Sequence, residues 1–200
     1  MSKRAEGARS NADYRWFPRQ DMSIHPEKPP GVKLVAALMA PTEEQIESAL
    51  AALSPEYGTV DLSSPTFLFA HSDYYEEEMG QRLIKRFCSF SGLVDPEEIV
   101  DLKLKAIEHE RRTLVEGTLR RTVNVDPGYL DRMKLVLTTT KDAYHRVYLS
   151  RGIYADVELV YRSGDFAFLE WTFPDYRETS ARSFFRQVRE KYLAELRSGT

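Results

Sequence analysis

The sequence predicts an α+β fold in which a ferredoxin-like β-α-β-β-α-β unit is extended by a C-terminal β-meander and a final helix. Three observations support this prediction: a continuous apolar run at residues 33–40, helix-start signals at residues 42–45 and 95–98, and a period-2 alternation at residues 153–161. A strand alternates its side chains between two faces, whereas a helix repeats its apolar positions every three to four residues. The order of these patterns along the chain therefore gives the order of the elements.

The first strand and the first helix are predicted from adjacent signals. Residues 33–40 are almost entirely apolar and end at Pro41, which is typical of a buried strand. Thr42 and Gln45 then form a capping box, in which the threonine oxygen caps the helix and the glutamine reaches back towards it. Apolar residues follow on one helical face: Ile46, Ala49, Leu50 and Leu53.

The rest of the unit is predicted to be extended at residues 60–70, helical from Asp95, and extended again at residues 119–125. Residues 82–90 alternate loosely and suit a strand or a helix, of which we favour the strand. Asp95 is a favourable N-cap residue, and Pro96 suits the first helical position. Residues 119–125 alternate apolar and polar side chains, as a half-exposed strand does. The element order is then β-α-β-β-α-β.

Two more helices are predicted. One begins at Asp126, because an Asp-Pro-Gly sequence suits a helix start and Leu130, Met133 and Leu137 follow at helical spacing. The other covers residues 179–196. Its inward-facing side chains are expected to be Ala181, Phe184, Phe185, Val188 and Tyr192.

The β-meander lies between these helices and starts with a hairpin. Its loop is residues 150–152, with Gly152 in the left-handed conformation, and residues 153–161 form its second strand. The predicted cross-strand pairs are Arg146 with Asp156, Val147 with Ala155, Tyr148 with Tyr154, and Leu149 with Ile153. Strict alternation places Asp156 and Glu158 on one face. The opposite face would carry Ile153, Ala155, Val157, Leu159 and Tyr161.

Residues 1–30 are predicted to form a disordered tail, and residues 31–200 a single α+β domain. The first 30 residues are polar, mixed in charge and end in two prolines, so they lack the apolar periodicity that a packed core requires. Most of the apolar residues follow this segment. The domain is large enough for one sizeable core.

Composition excludes several classes of protein. The chain carries 28 basic and 31 acidic residues, whereas a dedicated nucleic-acid or membrane-surface protein needs a basic excess. No apolar run approaches the roughly 20 residues of a membrane span, and the N-terminus lacks the apolar region of a secretory signal. Cys88 is the single cysteine, so no intramolecular disulfide forms, and the flanking Phe87 and Phe90 predict a buried thiol. These features predict a soluble cytoplasmic protein.

Polar and aromatic side chains are concentrated on one face of the predicted hairpin. Arginine binds phosphate or carboxylate through two parallel hydrogen bonds, tyrosines stack, and two nearby acids shift each other's pKa. The predicted function is therefore binding or processing of a small anionic ligand, phosphorylated or nucleotide-like, in a polar pocket. The candidate ligand-binding residues are Arg146, Lys141, Tyr144, Tyr148 and Tyr154, and the candidate proton-transfer residues are Asp156, Glu158 and His145.

Other interpretations remain open from the sequence. The tyrosine-bearing face could be a solvated sheet surface with one cross-strand ion pair. By strand parity His145 falls on the apolar side, so it could be a buried, hydrogen-bonded histidine rather than a general base. The aromatic segment at residues 171–176 could instead grip a partner protein, without catalysis.

The sequence identifies no cofactor and no metal site. Residues 73–78 contain four acids, which are the ligands that Mg²⁺ or Ca²⁺ prefers. Adjacent acids of a regular element do not converge on one ion, so this segment is expected to be a solvated acidic turn. His71 has no second histidine or cysteine at zinc spacing.

Several rare peptides occur in a fixed order along the chain. Among them are Asp73-Tyr-Tyr-Glu-Glu-Glu-Met-Gly80, Asn124-Val-Asp-Pro-Gly-Tyr129, Thr140-Lys-Asp142 and Trp171-Thr-Phe-Pro-Asp-Tyr176. Over residues 33–189 the chain resembles the bacterial family called domain of unknown function 4416. The resemblance implies a stand-alone bacterial cytoplasmic protein and brings no catalytic residues with it. Members are sometimes labelled GTP-binding proteins, and this sequence contains no G-x-x-x-x-G-K-[ST] phosphate loop.

Overall fold

The computed structural model describes residues 26–69, 79, 82–118 and 120–199. Most of the tail predicted at residues 1–30, and the whole acidic segment at residues 73–78, lie outside the described residues.

The described residues form nine strands and four α-helices. The strands are β1 (Lys33–Ala40), β2 (Val60–Ser63), β3 (Phe67–Leu68), β4 (Ile84–Phe90), β5 (Asn124–Leu130), β6 (Lys134–Thr139), β7 (Arg146–Ser150), β8 (Ile153–Arg162) and β9 (Asp165–Phe168). The helices are α1 (Glu43–Tyr57), α2 (Ile99–Arg112), α3 (Pro174–Arg177) and α4 (Thr179–Ser198), with a 3₁₀ turn (Pro96–Glu98) ahead of α2. Within this part of the chain, no helix is both long enough and apolar enough to cross a membrane.

All nine strands belong to one sheet, with the order β2-β4-β1-β5-β6-β8-β7. β3 pairs with β4, and β9 pairs with β8. The pairs between these strands are antiparallel. The predicted α+β class is confirmed at this level.

The central strand β1 separates two apolar cores, and all of its residues are buried. Leu34, Ala36 and Leu38 belong to a core shared with α1 and α2, whereas Val35 and Ala37 belong to a core shared with α4. Alternate side chains of a strand point to opposite faces. The first two long helices therefore cover one face of the sheet, and α4 covers the other.

Several local predictions are confirmed. The Thr42 hydroxyl accepts a hydrogen bond from the Gln45 amide at 3.3 Å at the start of α1, and Asp95 accepts one from the Glu97 amide at 3.0 Å ahead of α2. Cys88 is fully buried, and burial raises the pKa of its thiol to about 11. The buried side chains of α4 are the five that were predicted: Ala181, Phe184, Phe185, Val188 and Tyr192.

The prediction of a helix that begins at Asp126 is wrong. That part of the chain forms β5, a tight turn and β6. The Asp131 carboxylate accepts two backbone N–H bonds, at 2.7 and 2.8 Å, and so closes the turn. β5 also replaces the strand predicted at residues 119–125, with which it shares only its first two residues.

Gly128 explains why strand pairing overrides the helical spacing. It lies opposite Leu137 in the β5–β6 ladder, and a Cβ atom at Gly128 would lie only 2.2 Å from the carbonyl oxygen of Val136. The two strands therefore approach each other more closely than any residue with a side chain allows. Apolar residues spaced for a helix also suit two short strands with a turn between them.

β8 contains a bulge, which changes the face of the sheet to which the side chains after it point. The β6 residues Leu135 and Leu137 are opposite Leu159 and Asp156, which are three residues apart rather than two. The extra residue puts Leu159 on the same face as Asp156. The prediction of strict alternation along this strand is wrong, and Glu158 lies in the bulge.

The β7–β8 hairpin has the predicted register over most of its length. The confirmed pairs are Arg146 with Asp156, Val147 with Ala155, and Tyr148 with Tyr154. The last pair differs, because Ser150 rather than Leu149 is opposite Ile153. Leu149 is an additional residue in β7, and the loop shortens to Arg151 and Gly152, both with positive φ angles.

Candidate ligand-binding site

A cavity of about 290 Å³ opens where β5 and β6 separate. These strands are paired only at residues 128–130 and 135–137, so the first half of β5 and the end of β6 leave a gap in the sheet. Lys103 reaches the cavity from α2, which covers one face, and Tyr176 reaches it from α3. The gap therefore brings polar groups from several elements into one space.

Charged side chains of both signs line the cavity. The basic ones are Lys85, Lys103, Arg121, Lys141 and Arg146. The acidic ones are Glu110, Asp126, Asp156 and Asp175. Most of these groups are paired with one another, so the cavity is surrounded by ion pairs rather than by a field of one sign.

Arg146 and Asp156 form the ion pair that the hairpin register predicts. Arg146 Nε donates to Asp156 Oδ2 at 2.9 Å, and Arg146 Nη1 donates to the carbonyl oxygen of Lys141 at 3.0 Å. The side chain of Asp156 is 2% exposed. Arg146 Nη2 has no hydrogen-bond partner among the described residues, so one edge of the guanidinium remains available to a ligand.

His145 also contacts Asp156, with Nε2 at 3.3 Å from Oδ2. Its ring stacks on Trp171 at a centroid distance of 5.1 Å. Strand parity predicted that His145 would face away from Asp156, and this is wrong because His145 precedes β7. The Arg146 amide donates to the carbonyl oxygen of Ala143 at 2.9 Å, and this turn directs His145 to the same carboxylate as Arg146.

Glu158 is fully buried beside this pair. Its Oε1 accepts the backbone N–H of Phe173, and its Oε2 has no hydrogen-bond partner among the described residues. Burial raises the pKa of Glu158 to about 8; the Asp156 and Asp175 carboxylates act in the same direction, against the Phe173 N–H and the Lys85 ammonium. Glu158 is therefore protonated at neutral pH.

Lys85 and Asp175 form a second ion pair at the cavity, with 2.5 Å between Lys85 Nζ and Asp175 Oδ2. Three rings surround the ammonium group, with centroids at 5.3, 5.5 and 4.9 Å: those of Phe69, Phe87 and Tyr176. Both charged residues are more than nine-tenths buried. A charge held this far from water requires partners, and here the partners are a carboxylate and aromatic faces.

Lys103 and Asp126 form a third pair. Lys103 Nζ donates to Asp126 Oδ1 at 2.9 Å and to the carbonyl oxygen of Val125 at 3.0 Å, and Asn124 donates to Asp126 Oδ2 at 2.7 Å. Burial alone would raise the pKa of Asp126. The nearby Lys103 ammonium and the hydrogen bonds outweigh burial, and the pKa lies below its usual value. Asp126 is therefore ionised at neutral pH.

Glu110 connects this end of the cavity to α2. It accepts the Val125 backbone N–H at 2.7 Å and forms an ion pair with Arg121. Burial raises its pKa, although the charges of Lys103 and Arg121 oppose the shift. Glu110 thus fixes α2 to the first residues of β5, next to the gap in the sheet.

Trp171 and Thr172 donate hydrogen bonds to the backbone of β8 next to the site. Trp171 donates its indole N–H to the carbonyl oxygen of Val157 at 2.9 Å, and the Thr172 hydroxyl donates to that of Glu158 at 2.5 Å. Both carbonyls lie in the bulge, between the parts of β8 that pair with β7 and with β9. The motif at residues 171–176 therefore satisfies backbone groups that the sheet leaves unpaired.

The structure brings some of the predicted site residues together. Lys141, Arg146 and Asp156 line the cavity. His145 touches Asp156, and Glu158 lies buried next to it without lining the cavity. The polar end of the predicted site thus coincides with one end of the cavity.

The three predicted tyrosines lie elsewhere and do not line the cavity. Tyr144 is 83% exposed and Tyr148 is 58% exposed. Tyr154 packs against Tyr148 with their rings edge to face and centroids 5.3 Å apart. Tyr144 instead packs edge to face against His145 and Trp171. None of the three tyrosines forms the floor of the cavity.

Sequence reasoning missed the two buried lysines that line the cavity. Lys103 lies on the buried stripe of α2, between Ile99 and Ala106, and Glu110 lies on the same stripe one turn further on. Lys85 similarly occurs in the buried strand β4. The available signal was a charged residue at a position where the repeat of the helix or strand predicts an apolar one.

Among the described residues, no group of three or more histidine, cysteine, aspartate or glutamate side chains could hold a metal ion. The carboxylates at the cavity are instead paired with lysine and arginine side chains.

A comparison with known families matches residues 30–192 to the family described as domain of unknown function (DUF4416). No curated protein and no solved structure matches the chain. The matched segment contains every described strand and the part of α4 up to Tyr192, and it includes all residues that line the cavity. The chain belongs to the DUF4416 family.

Proposed function

We propose that the cavity between β5 and β6 binds a small anionic ligand, phosphorylated or nucleotide-like. The observation that carries the proposal is the convergence of five basic side chains on one cavity of about 290 Å³. These side chains come from β4, α2, the segment before β5, the β6–β7 loop and β7. Four acidic side chains line the same cavity, so the basic side chains exceed the acidic ones by one, and an anionic group of the ligand compensates this excess.

Arg146 and Lys141 are the proposed anion-binding residues at the rim. Arg146 uses Nε and Nη1 within the protein, which leaves Nη2 for an oxygen of the ligand. Lys141 lies at the mouth, and its backbone carbonyl holds the guanidinium in place. An arginine fixed by its own hydrogen bonds loses little entropy when it binds an oxyanion.

The size and the other lining residues favour an organic anion over an inorganic one. A volume of about 290 Å³ is near the lower end of small-molecule sites, which start at roughly 300 Å³. Apolar side chains complete the wall, among them Ile107, Leu137, Phe173 and Pro174. They provide a surface for the carbon skeleton of the ligand.

Asp156, His145 and Glu158 are the proposed proton-transfer group. Asp156 lines the cavity and contacts His145, so a proton taken from the ligand by Asp156 passes to the imidazole. Glu158 is buried behind the cavity, and the Asp156 carboxylate is one of the groups that raise its pKa. If the protein is an enzyme, Asp156 is the base that meets the substrate.

The strand order supports a finer description of the fold. In β2-β4-β1-β5, with α1 and α2 on one face, the first half has the arrangement of a ferredoxin-like unit. β6 to β9 enlarge the same sheet, which supports one domain over residues 31–200. The proposed setting is a bacterial cytoplasm, where small phosphorylated compounds are abundant.

The alternative is a protein-interaction module that uses residues 171–176. The geometry offers it less support. Trp171 is half-buried and bonded to Val157, and Tyr176 is 1% exposed in the core. Phe173, 44% exposed, is the large aromatic side chain of this segment that faces solvent.

A thermal-shift screen tests the proposal. Orthophosphate, pyrophosphate, sugar phosphates and nucleotides, including GTP, are added to the wild type and to Arg146→Ala. A ligand at 100 times its dissociation constant adds about 2.7 kcal/mol, which raises Tm by roughly 5–10 °C for a chain of this size. We expect at least one of these anions to do so in the wild type.

Two variants make the screen specific to the site. Each is compared with its own ligand-free Tm, because Arg146→Ala also removes a partner of buried Asp156. Arg146→Ala should abolish the shift, and Arg197→Ala, which removes an exposed charge at the end of α4, should keep it. Equal shifts in both variants would show that Arg146 does not bind the anion.

A further inference from the structure

Two buried lysines line the same cavity as Arg146. Lys85 is 8% exposed and Lys103 is 5% exposed. Lys103 Nζ lies 2.9 Å from Asp126 Oδ1, and Lys85 Nζ lies 2.5 Å from Asp175 Oδ2. Burying two ammonium groups is costly, and the cost is compensated only when their hydrogen bonds are satisfied.

Within the described part of the protein, neither lysine uses all of its N–H donors in hydrogen bonds. An ammonium group has three N–H donors. Lys103 Nζ donates to Val125 and Asp126, and Lys85 Nζ donates to Asp175 and otherwise faces three aromatic rings. Both residues line the cavity, so the remaining donors are within reach of oxygen atoms placed there.

These lysines and Arg146 are held in separate ion pairs around the cavity. Lys85 on β4 pairs with Asp175, and Lys103 on α2 pairs with Asp126. Arg146 on β7 pairs with Asp156. Each cation is fixed by its own carboxylate, so the remaining donors of the two lysines are separate from Arg146 Nη2.

We propose that Lys85 and Lys103 form a second anion subsite, and that the ligand carries two anionic groups on one organic skeleton. This inference rests on the proposed function, in which Arg146 and Lys141 take the first group. The second group accepts hydrogen bonds from the remaining donors of the two lysines, which line the same cavity as Thr138 and Thr139. The ligand class is then a bisphosphate, a dicarboxylate or a phosphorylated acid.

A matched pair of probes tests this inference. Fructose 1,6-bisphosphate and fructose 6-phosphate differ by one phosphate group, and calorimetric titration gives the dissociation constant of each. The wild type should bind the bisphosphate at least tenfold more tightly. The test variant combines Lys103→Met with Asp126→Asn, because removing both members of the buried pair leaves no uncompensated charge.

The test variant should bind the two probes with equal affinity and keep the wild-type affinity for the monophosphate. The matched control combines Lys105→Met with Glu108→Gln, an exposed pair on the same helix, and should retain the tenfold preference. Circular dichroism and the ligand-free Tm verify that both variants are folded.

The outcomes separate the two proposals. If the wild type binds the monophosphate but gains less than threefold from the second phosphate, the second subsite is wrong and the anion site at Arg146 stands. A preference that persists in the test variant also overturns the subsite. If neither probe binds to the wild type, and no anion in the thermal-shift screen does, both proposals fail.

Discussion

The charge of Glu158 is set by its position in the β8 bulge. A glutamate on the surface is ionised at neutral pH, but this carboxyl is fully buried with one oxygen unpartnered among the described residues. Burial raises its pKa to about 8, and the nearby acids add to the effect. Glu158 is therefore uncharged at neutral pH, and Asp156 rather than Glu158 is the carboxyl group that lines the cavity.

The pH dependence of stability should show this proton. The pKa rises from 4.5 in the unfolded chain to about 8 in the folded protein, so between these values the folded state binds a proton that the unfolded state has lost. Stability from this group is therefore complete below the lower pKa and falls as pH rises towards the upper one. Glu158→Gln cannot ionise, and should remove that part of the slope.

We expect Glu158→Gln to be more stable than the wild type above pH 8 by a few kcal/mol, since one pKa unit corresponds to about 1.4 kcal/mol. Urea unfolding between pH 5 and 9 measures the difference. Glu170→Gln, at an exposed position, is the control and should follow the wild type. If Glu158→Gln has the same pH slope as the wild type, Glu158 is ionised in the folded protein.

The gap between β5 and β6 depends on how closely the two strands meet before they separate. At Gly128 an added Cβ would lie 2.2 Å from the Val136 carbonyl oxygen and 2.9 Å from a Leu137 methyl carbon. The first of these is a backbone atom, so relief requires the strands to move apart. The position of Gly128 therefore controls both the ladder and the cavity beyond it.

Gly128→Ala should cost at least about 2 kcal/mol of unfolding free energy, because overpacking of a fixed backbone costs 1–3 kcal/mol or more. Urea denaturation at pH 7 measures the loss. Gly117→Ala is the matched control, since its Cβ meets nothing within 4 Å and only its φ of +74° is unfavourable, at a cost of roughly 1 kcal/mol. A smaller loss for Gly128→Ala than for Gly117→Ala would show that the strands separate without strain.

Elements whose signals are local could be predicted from the sequence. The caps at Thr42 and Asp95 and the apolar stripe of α4 involve residues within a few turns of each other. The β7–β8 register was also predictable, because a short loop fixes it. The bulge in β8 was not, since it depends on pairing with β6 and on hydrogen bonds from Trp171 and Thr172.

The same distinction applies to the site. Arg146 and Asp156 were predictable because they face each other across one hairpin. Lys85, Lys103 and Asp175 reach the cavity from β4, α2 and α3, and no local pattern relates these elements. The tyrosines failed to join the cavity because strand parity gives a shared face but not what covers that face.

At the scale of the whole molecule, the nine-stranded sheet carries two apolar cores and one polar cavity. Both faces carry apolar cores, one under α1 and α2 and the other under α4. The ion pairs of Lys85, Lys103 and Arg146 line the cavity where the sheet opens, between β5 and β6. The residues that line this cavity lie between Met39 and Tyr176, within the family match at residues 30–192.

The most direct test of the central claim is a crystal structure of the protein soaked in selenate, with anomalous difference density used to locate selenium. Selenate is a tetrahedral oxyanion, as phosphate is, so the account predicts a peak inside the cavity within hydrogen-bonding distance of Arg146 Nη2. The peak should be missing from Arg146→Ala crystals soaked in the same way. Selenium found only on the outer surface of the wild type, with none beside Arg146, would contradict the claim that this cavity binds anions.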